Sequence, residues 1–138
     1  MANYYASSRS SYAKMKDDDD FLNWAETIPD CEVIKKEVPD HGTLYGFLFG
    51  TDNDYGGIPN TRYVDDNEYE LDLHTEIQPH LAEGWSIIFM EVGAEKLRYV
   101  SGHAAVITST EMEFINLGSW AEGALKTLGS PLSTACEY

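Results

Sequence analysis

Three apolar segments joined by very short connections constrain the fold of this chain more than any other feature. They span residues 85–92, 97–108 and 111–117, and only a few turn residues separate one from the next. Short connections join antiparallel neighbours, because a parallel crossover needs a dozen residues or more. The sequence therefore predicts an antiparallel sheet in this part, with Gly102 as a bulge or bend in the middle strand.

Two segments in the first half of the chain, 31–38 and 43–49, are predicted as further strands, since the turn formers at 39–42 separate them. Residues 51–62 are rich in Asp, Asn, Gly and Pro and are predicted as a loop. Acidic and apolar residues alternate over 66–73, which is typical of a half-buried strand.

Three short helices are predicted from apolar spacing and from capping residues. The first spans about 18–27, where an aspartate run precedes apolar residues at helical spacing. A second begins at a capping box at Thr75, and a third begins at a capping box at Ser119. The predicted fold class is α+β, with a mostly antiparallel sheet of five to six strands and two or three short helices.

The first sixteen residues differ in charge from the remainder of the chain. They contain three basic residues and no acidic one, and they open with small polar residues. Residues 1–16 are therefore predicted to form an N-terminal arm or an edge strand. A length of 138 residues fits one domain rather than two, so residues 17–138 are predicted to form a single acidic α+β domain.

Acidic residues outnumber basic ones by 24 to 9, which gives the chain a net charge of −15. Residues 17–83 hold 18 of the acidic residues and three of the basic ones, so this segment carries a charge equal to the whole excess. Because like charges repel, the composition argues against direct binding to nucleic acid or to an anionic membrane.

The sequence shows no signal for export or for membrane insertion. No apolar run approaches the roughly 18 residues of a membrane-spanning helix, and the first residues lack the basic and apolar regions of a secretory signal. Cys31 and Cys136 do not make a disulfide framework. The prediction is two thiols in the reducing cytoplasm.

The motifs of common enzyme classes are absent from the sequence, including the glycine-rich phosphate loop, the dinucleotide fingerprint and the zinc protease motif. Residues 74–76 match the first half of a zinc deaminase signature, but the cysteine pair of its second half is missing. No catalytic residue, cofactor or metal is therefore predicted. The alternative is a small enzyme or metal-dependent binding protein that uses His74, His80 and the loop with Asp52 and Asp54.

Four carboxylates, Asp66, Glu68, Glu70 and Asp72, recur with a period of two. On a strand they would share one face, and a rise of about 3.3 Å per residue would separate successive members by about 6.6 Å. A row at this pitch could present to a basic groove what a phosphate backbone presents. The simpler alternative is the ordinary solvent-exposed face of a half-buried strand.

Further acidic and aromatic residues could extend this surface. Tyr63 and Tyr69 are interleaved with the acids and are predicted as contact residues, since tyrosines often anchor interfaces. The aspartates predicted to supplement the carboxylates are Asp17, Asp18, Asp19 and Asp20.

Two stretches, residues 6–17 and 90–100, resemble small acidic proteins of uncertain role carried by bacteria and their phages or plasmids. The resemblance implies a prokaryotic, mobile-element setting and transfers no site residues. In that setting, acidic proteins of this size often inhibit nucleic-acid-binding host defences such as restriction or CRISPR effectors.

The sequence thus favours a non-enzymatic acidic protein that inhibits a basic partner by occupying its nucleic-acid-binding site, which is a form of DNA mimicry. The second hypothesis is the enzyme or metal-dependent binder described above. The third is an oligomeric structural protein, or a homodimer, that assembles through apolar surface of the C-terminal sheet. Trp85, Trp120 and the strand 87–90 would supply that surface.

Overall fold

The structure is a computed structural model that describes residues 4–50, 56–95 and 98–129. The strands are β1 (Tyr4–Ser10), β2 (Cys31–Val38), β3 (Gly42–Phe49), β4 (Thr61–Val64), β5 (Asn67–Glu70), β6 (Ser86–Glu95), β7 (Tyr99–Thr108) and β8 (Met112–Asn116). The helices are α1 (Asp18–Ala25), α2 (Leu73–Ile77), which continues into a 3₁₀ turn (Gln78–His80), and α3 (Leu117–Leu128). The predicted α+β class is confirmed.

Six strands form one antiparallel sheet in the order β2-β3-β1-β6-β7-β8, while β4 and β5 pair only with each other. The β6–β7 and β7–β8 pairings confirm the antiparallel arrangement predicted from the short connections. Their register runs unbroken past Gly102, so the predicted bulge there is wrong. Gly102 instead leaves room for Leu117, whose Cδ1 would lie 2.5 Å from a Cβ at that position.

Strand β1 lies inside the sheet, between β3 and β6, so the prediction of an N-terminal arm or edge strand for residues 1–16 is wrong. All seven of its residues pair with β6. The polar residues that suggested an arm make hydrogen bonds within the sheet instead. The buried Ser10 hydroxyl accepts a hydrogen bond from the Phe47 amide and donates one to the Ser11 carbonyl. Farther along, Ala13 and Met15 enter the core.

The core lies between one face of this sheet and the helices α1 and α2. Asp17 caps α1 by accepting a hydrogen bond from the Asp20 amide, which confirms the predicted helix start. The ring of Phe21 packs on those of Tyr45 and Phe47, at centroid distances of 5.2 and 5.7 Å. The largest fully buried side chains are Phe21, Phe47, Phe89, Ile77, Leu81, Ile87 and Ile107.

The caps of the other two helices lie three residues earlier than predicted. Asp72 rather than Thr75 caps α2, and Asn116 rather than Ser119 caps α3, each accepting a hydrogen bond from the amide three residues on. Asp and Asn satisfy a free helix amide better than Thr does. Gly129 ends α3 with a φ of 71°.

Residues 61–64 form strand β4, although the sequence predicted a loop over 51–62. The connection to β5 is made by Asp65 and Asp66, which have φ values of 51° and 66°. Positive φ at both central residues is the geometry of the tight turn that joins two twisted strands. Among the helices of the described segments, none is long and apolar enough to cross a membrane.

Candidate functional site

The predicted row of four carboxylates is broken in the structure. Glu68 and Glu70 lie on one face of β5, whereas Asp66 belongs to the turn and Asp72 caps α2. The reason is that β5 is only four residues long and ends where Leu71 becomes buried. A regular row of four is therefore wrong, and a pair of carboxylates flanked by a turn and a cap replaces it.

The hairpin formed by β4 and β5 exposes one tyrosine on each face. Tyr63 lies opposite Glu68 in the pairing and shares its face, while Tyr69 lies opposite Arg62 on the other face. Their exposed fractions are 66% for Tyr63 and 52% for Tyr69. Every residue of β5 is exposed, so the hairpin presents both rings and its carboxylates to solvent.

The only basic residue of the hairpin is already engaged at its base. Arg62 pairs with Glu76 and donates a hydrogen bond to the Thr27 hydroxyl. Burial raises the pKa of Glu76, but hydrogen bonds from Arg62 and Trp24 and the charge of Arg62 outweigh this and lower it overall. Within the described residues, no lysine or arginine pairs with the hairpin carboxylates.

The aspartate run is exposed but lies away from the hairpin. Asp17 to Asp20 form the cap and first turn of α1, where Asp18 accepts a hydrogen bond from the Tyr45 hydroxyl at 3.3 Å. The hairpin contacts the opposite end of α1 through Thr27. Because α1 spans about 12 Å, the structure does not bring these aspartates and the hairpin carboxylates into one continuous row.

A cavity of about 740 Å³ lies beside the hairpin, and we call it the acidic cavity. Its walls come from residues 58–61, from residues 68–74 and from the β6–β7 pair. Its carboxylates are Glu68, Glu70, Asp72 and Glu91, and no lysine or arginine is among its described lining residues.

Glu91 is the deepest of these carboxylates, with an exposed fraction of 9%. It accepts hydrogen bonds from the Ile58 amide at 2.6 Å, from the Tyr4 hydroxyl at 2.9 Å and from His103 Nε2 at 3.1 Å. The register that pairs Glu91 with His103 across β6 and β7 places both side chains on the core side of the sheet. Burial, with the hydrogen bond and the charge of Glu91, raises the pKa of Tyr4.

His74 stands on α2 at the boundary between the acidic cavity and a second, smaller one. Its ring packs edge-on against Phe89 at 5.2 Å and Phe114 at 5.5 Å. Its Nε2 atom is buried and has no hydrogen-bond partner among the described residues. Burial is the main cause that lowers the pKa of His74, so the neutral imidazole is favoured.

The second cavity, which we call the apolar cavity, has a volume of about 350 Å³. Its lining shares Ile58, His74 and His103 with the acidic cavity. The remaining lining residues are Phe89, Ala104, Ala105, Phe114, Ile115, Asn116 and Ser119. The two cavities therefore adjoin, one charged and one largely apolar.

The pair of histidines suggested by the sequence is not brought together. His80 stacks on Trp24 at 4.9 Å, whereas His74 faces Phe89 and Phe114. Asp52 and Asp54 lie outside the described residues. In the described part of the chain, no group of three or more metal-binding side chains is assembled.

Sequence reasoning missed Glu91, His103 and Tyr4, which come from three different strands. One signal was available, because Glu91 has the same parity as the buried Ile87 and Phe89 and so had to point into the core. A charged residue at an inward position of a strand marks a polar site or a cavity.

The opposite face of β6, β7 and β8, which we call the outer face, is apolar and exposed. Its exposed side chains include Met90, Val92, Val100, Val106 and Ile115. Helix α3 follows with Trp120 at 62% and Leu128 at 80% exposure, and none of its residues is buried. The predicted apolar surface is only partly right, since Ile87 and Phe89 are in the core.

Comparison of the chain with protein-family profiles, with curated proteins and with solved structures finds no significant match.

Proposed function

We propose that this chain is a non-enzymatic acidic protein that inserts its β4–β5 hairpin into the basic, nucleic-acid-binding site of a partner protein and so inhibits it. The observation that carries the proposal is the hairpin itself. It exposes two tyrosines on opposite faces beside carboxylates that no described lysine or arginine neutralises.

The hairpin is anchored in a way that suits insertion. It is hydrogen-bonded to no described strand of the main sheet, so it forms a separate two-stranded unit. At its base, Arg62 is tied to Glu76 and Thr27, and the Leu71 amide donates to the Asn60 carbonyl. A fixed base lowers the entropy that binding would otherwise cost.

Competition with nucleic acid would follow from ordinary electrostatics. A basic groove releases counterions when it takes up phosphates, and exposed carboxylates such as Glu68 and Glu70 can occupy the same groove. Complementary potentials speed the encounter. The rings of Tyr63 and Tyr69 would then supply the apolar contact on which affinity depends.

The proposed setting is the cytoplasm of a prokaryote that carries a phage or another mobile element, with a restriction or CRISPR effector as the class of partner. The resemblance of residues 6–17 and 90–100 to small acidic proteins of such elements supports this setting. The regional charge supports it too, since residues 17–83 carry 18 acidic and only three basic residues.

The test is a comparison of two variants that remove the same amount of charge. Host proteins that bind the wild-type chain are identified by pull-down, and each is then purified and titrated. Glu68→Gln with Glu70→Gln should weaken binding at least tenfold. The control, Glu111→Gln with Glu113→Gln, removes two exposed carboxylates elsewhere and should change binding less than twofold.

The same titrations carry two further readouts. Binding should weaken steeply as salt is raised from about 50 to 300 mM, and the partner's own nucleic acid should displace the chain. A partner that binds both variants equally, or that binds its nucleic acid and this chain together, would show that the proposal is wrong.

We also propose that a second copy of this chain covers the outer face and α3. The specific observation is the charge of this surface: Lys126 of α3 and Arg9, which pairs with Met90 from the neighbouring strand β1, together balance Glu113 and Glu122. In a chain with a net charge of −15, a neutral apolar surface is where two copies can meet without repulsion. Dimerisation through this surface leaves the hairpin accessible.

A further inference from the structure

We infer that the acidic and apolar cavities together bind an organic cation, which places an ammonium or guanidinium group among the carboxylates and an apolar body between His74 and Phe114. This goes beyond the proposed function, because it concerns the interior of a cavity that the hairpin carboxylates Glu68 and Glu70 only border. The cation can come from a free amine or from a lysine or arginine side chain of the basic partner.

The charge of the walls selects the sign of the ligand. The acidic cavity contains four carboxylates and two imidazoles, and its described lining offers no lysine or arginine to an anion. A concave site lined by one sign of charge concentrates ions of the opposite sign.

The deepest carboxylate is held in place before any ligand arrives. Three donors, from Ile58, Tyr4 and His103, fix the Glu91 carboxylate. An ionised carboxylate has about four lone-pair sites, so one acceptor position is left over. The chain also passes close by, since a Cβ added at Gly57 would lie 3.3 Å from Glu91 Oε1.

His74 supplies the second recognition element. Its buried Nε2 lacks a partner among the described residues, and its ring lines both cavities. A buried polar atom normally has a hydrogen-bond partner. A neutral imidazole nitrogen at this boundary can accept a hydrogen bond from an ammonium group, which is consistent with the lowered pKa of His74.

The apolar cavity sets the shape of the remainder of the ligand. Phe89, Ala105 and Phe114 give it apolar walls, and its entrance is shared with the acidic cavity through Ile58, His74 and His103. Volumes of about 740 and 350 Å³ suit a small molecule or a long side chain. A cation with an aromatic or aliphatic body matches both halves.

The experiment uses 2-phenylethylammonium as the probe and 3-phenylpropionate as the matched anion, each titrated into the folded chain and followed by calorimetry and amide NMR. The ammonium should bind with a dissociation constant below about 5 mM and shift the amide signals of Glu91, His103 and Phe114. The anion should bind at least tenfold more weakly. Equal binding of the two, or no binding of the ammonium at about 20 mM, would overturn the inference.

Two variants locate the site. Glu91→Gln keeps the shape of the side chain and should weaken probe binding at least tenfold, and His74→Phe should weaken it about threefold. Glu113→Gln, on the outer face, should leave it unchanged. Circular dichroism confirms that each variant is folded, and unchanged probe binding in a folded Glu91→Gln variant would contradict the inference.

Measurements with the partner protein identified by pull-down distinguish the two sources of the cation. If a partner side chain fills the cavity, Glu91→Gln weakens the complex and 2-phenylethylammonium competes with the partner. If a free amine fills it, the complex is unaffected while probe binding is still lost. Failure of the hairpin variants to weaken the complex refutes the proposed function alone, because probe binding is measured without a partner.

Discussion

The two faces of β6 and β7 differ in what they present beyond the core. On the inner face, the apolar pairs Ile87–Ile107 and Phe89–Ala105 give way to Glu91–His103, and the charged hairpin stands nearby. On the outer face, apolar residues remain exposed along both strands. The same strands thus carry a charged surface on one side and an exposed apolar surface on the other, and alternation of residues in a strand makes this possible.

The charge distribution explains why the two surfaces can coexist. The net charge of residues 17–83 equals that of the whole chain, whereas residues 84–138 contain six acidic and three basic residues. The outer face is built from the nearly balanced segment. Repulsion between two copies is therefore weakest where their apolar surface is greatest.

The largest effect that we expect is the loss of dimerisation when charges are placed on the outer face. Val100→Asp with Trp120→Asp places charges on two exposed apolar positions, so it should weaken dimerisation at least about 100-fold without unfolding the chain. Sedimentation equilibrium measures this effect. Val64→Asp, at an exposed apolar position on the hairpin, is the control and should leave the dimer intact. A wild-type chain that stays monomeric at about 200 μM would show that the outer face is not a dimer interface.

We expect an intermediate effect on stability from two glycine substitutions, which compare the packing of the inner face with the looser packing of α3. A Cβ at Gly93 would lie 2.4 Å from the Tyr4 hydroxyl oxygen, so Gly93→Ala must displace Tyr4 from Glu91. We expect a loss of about 1 to 2 kcal/mol in the free energy of unfolding. Gly123→Ala meets nothing within 4 Å in α3 and should instead gain up to about 1 kcal/mol. Urea denaturation measures both, and equal effects would contradict the difference in packing.

The smallest effect that we expect is a dependence of the free energy of unfolding on pH, caused by two partly buried histidines. Burial lowers the pKa values of His74 and His80 in the folded chain. Protons therefore bind more readily to the unfolded chain, so the free energy of unfolding should be highest above pH 7 and should fall as the pH drops through 6.5 towards 5. His74→Gln should reduce this slope but leave the part due to His80. Urea titrations across this range test it, and an unchanged slope in the variant would exclude a contribution from His74.

Elements with strong local patterns could be predicted from the sequence. The strands β2, β3 and β6 to β8 follow from apolar segments between turn residues, and α1 follows from an aspartate cap before apolar residues at helical spacing. Prediction failed where distant pairing decides the structure. Nothing local indicates that Ser-rich β1 lies between β3 and β6, because its partners are far away in the chain.

The candidate site was predicted only in part, for a similar reason. Glu68, Glu70, Tyr63 and Tyr69 are exposed on the hairpin, as the alternation suggested. The predicted row of four carboxylates was wrong because Asp72 is more favourable as a helix cap than as a strand residue. The cavities could not be predicted, since Tyr4, Ile58, His74, Glu91 and His103 come from five separate segments.

The central position of β1 has a consequence for biosynthesis. Tyr4 pairs with Glu95 and Ser10 with Phe89, so β1 leaves the ribosome about 80 residues or more before β6 exists. During that interval only β3 can pair with it, through Arg9 and Leu48, and a largely unpaired strand is a hazard for aggregation when its sequence is apolar. β1 stays hydrophilic during this time because it contains serines at positions 7, 8 and 10 and an arginine at position 9. The sheet is therefore complete around β1 only after β6 has been synthesised and pairs with it.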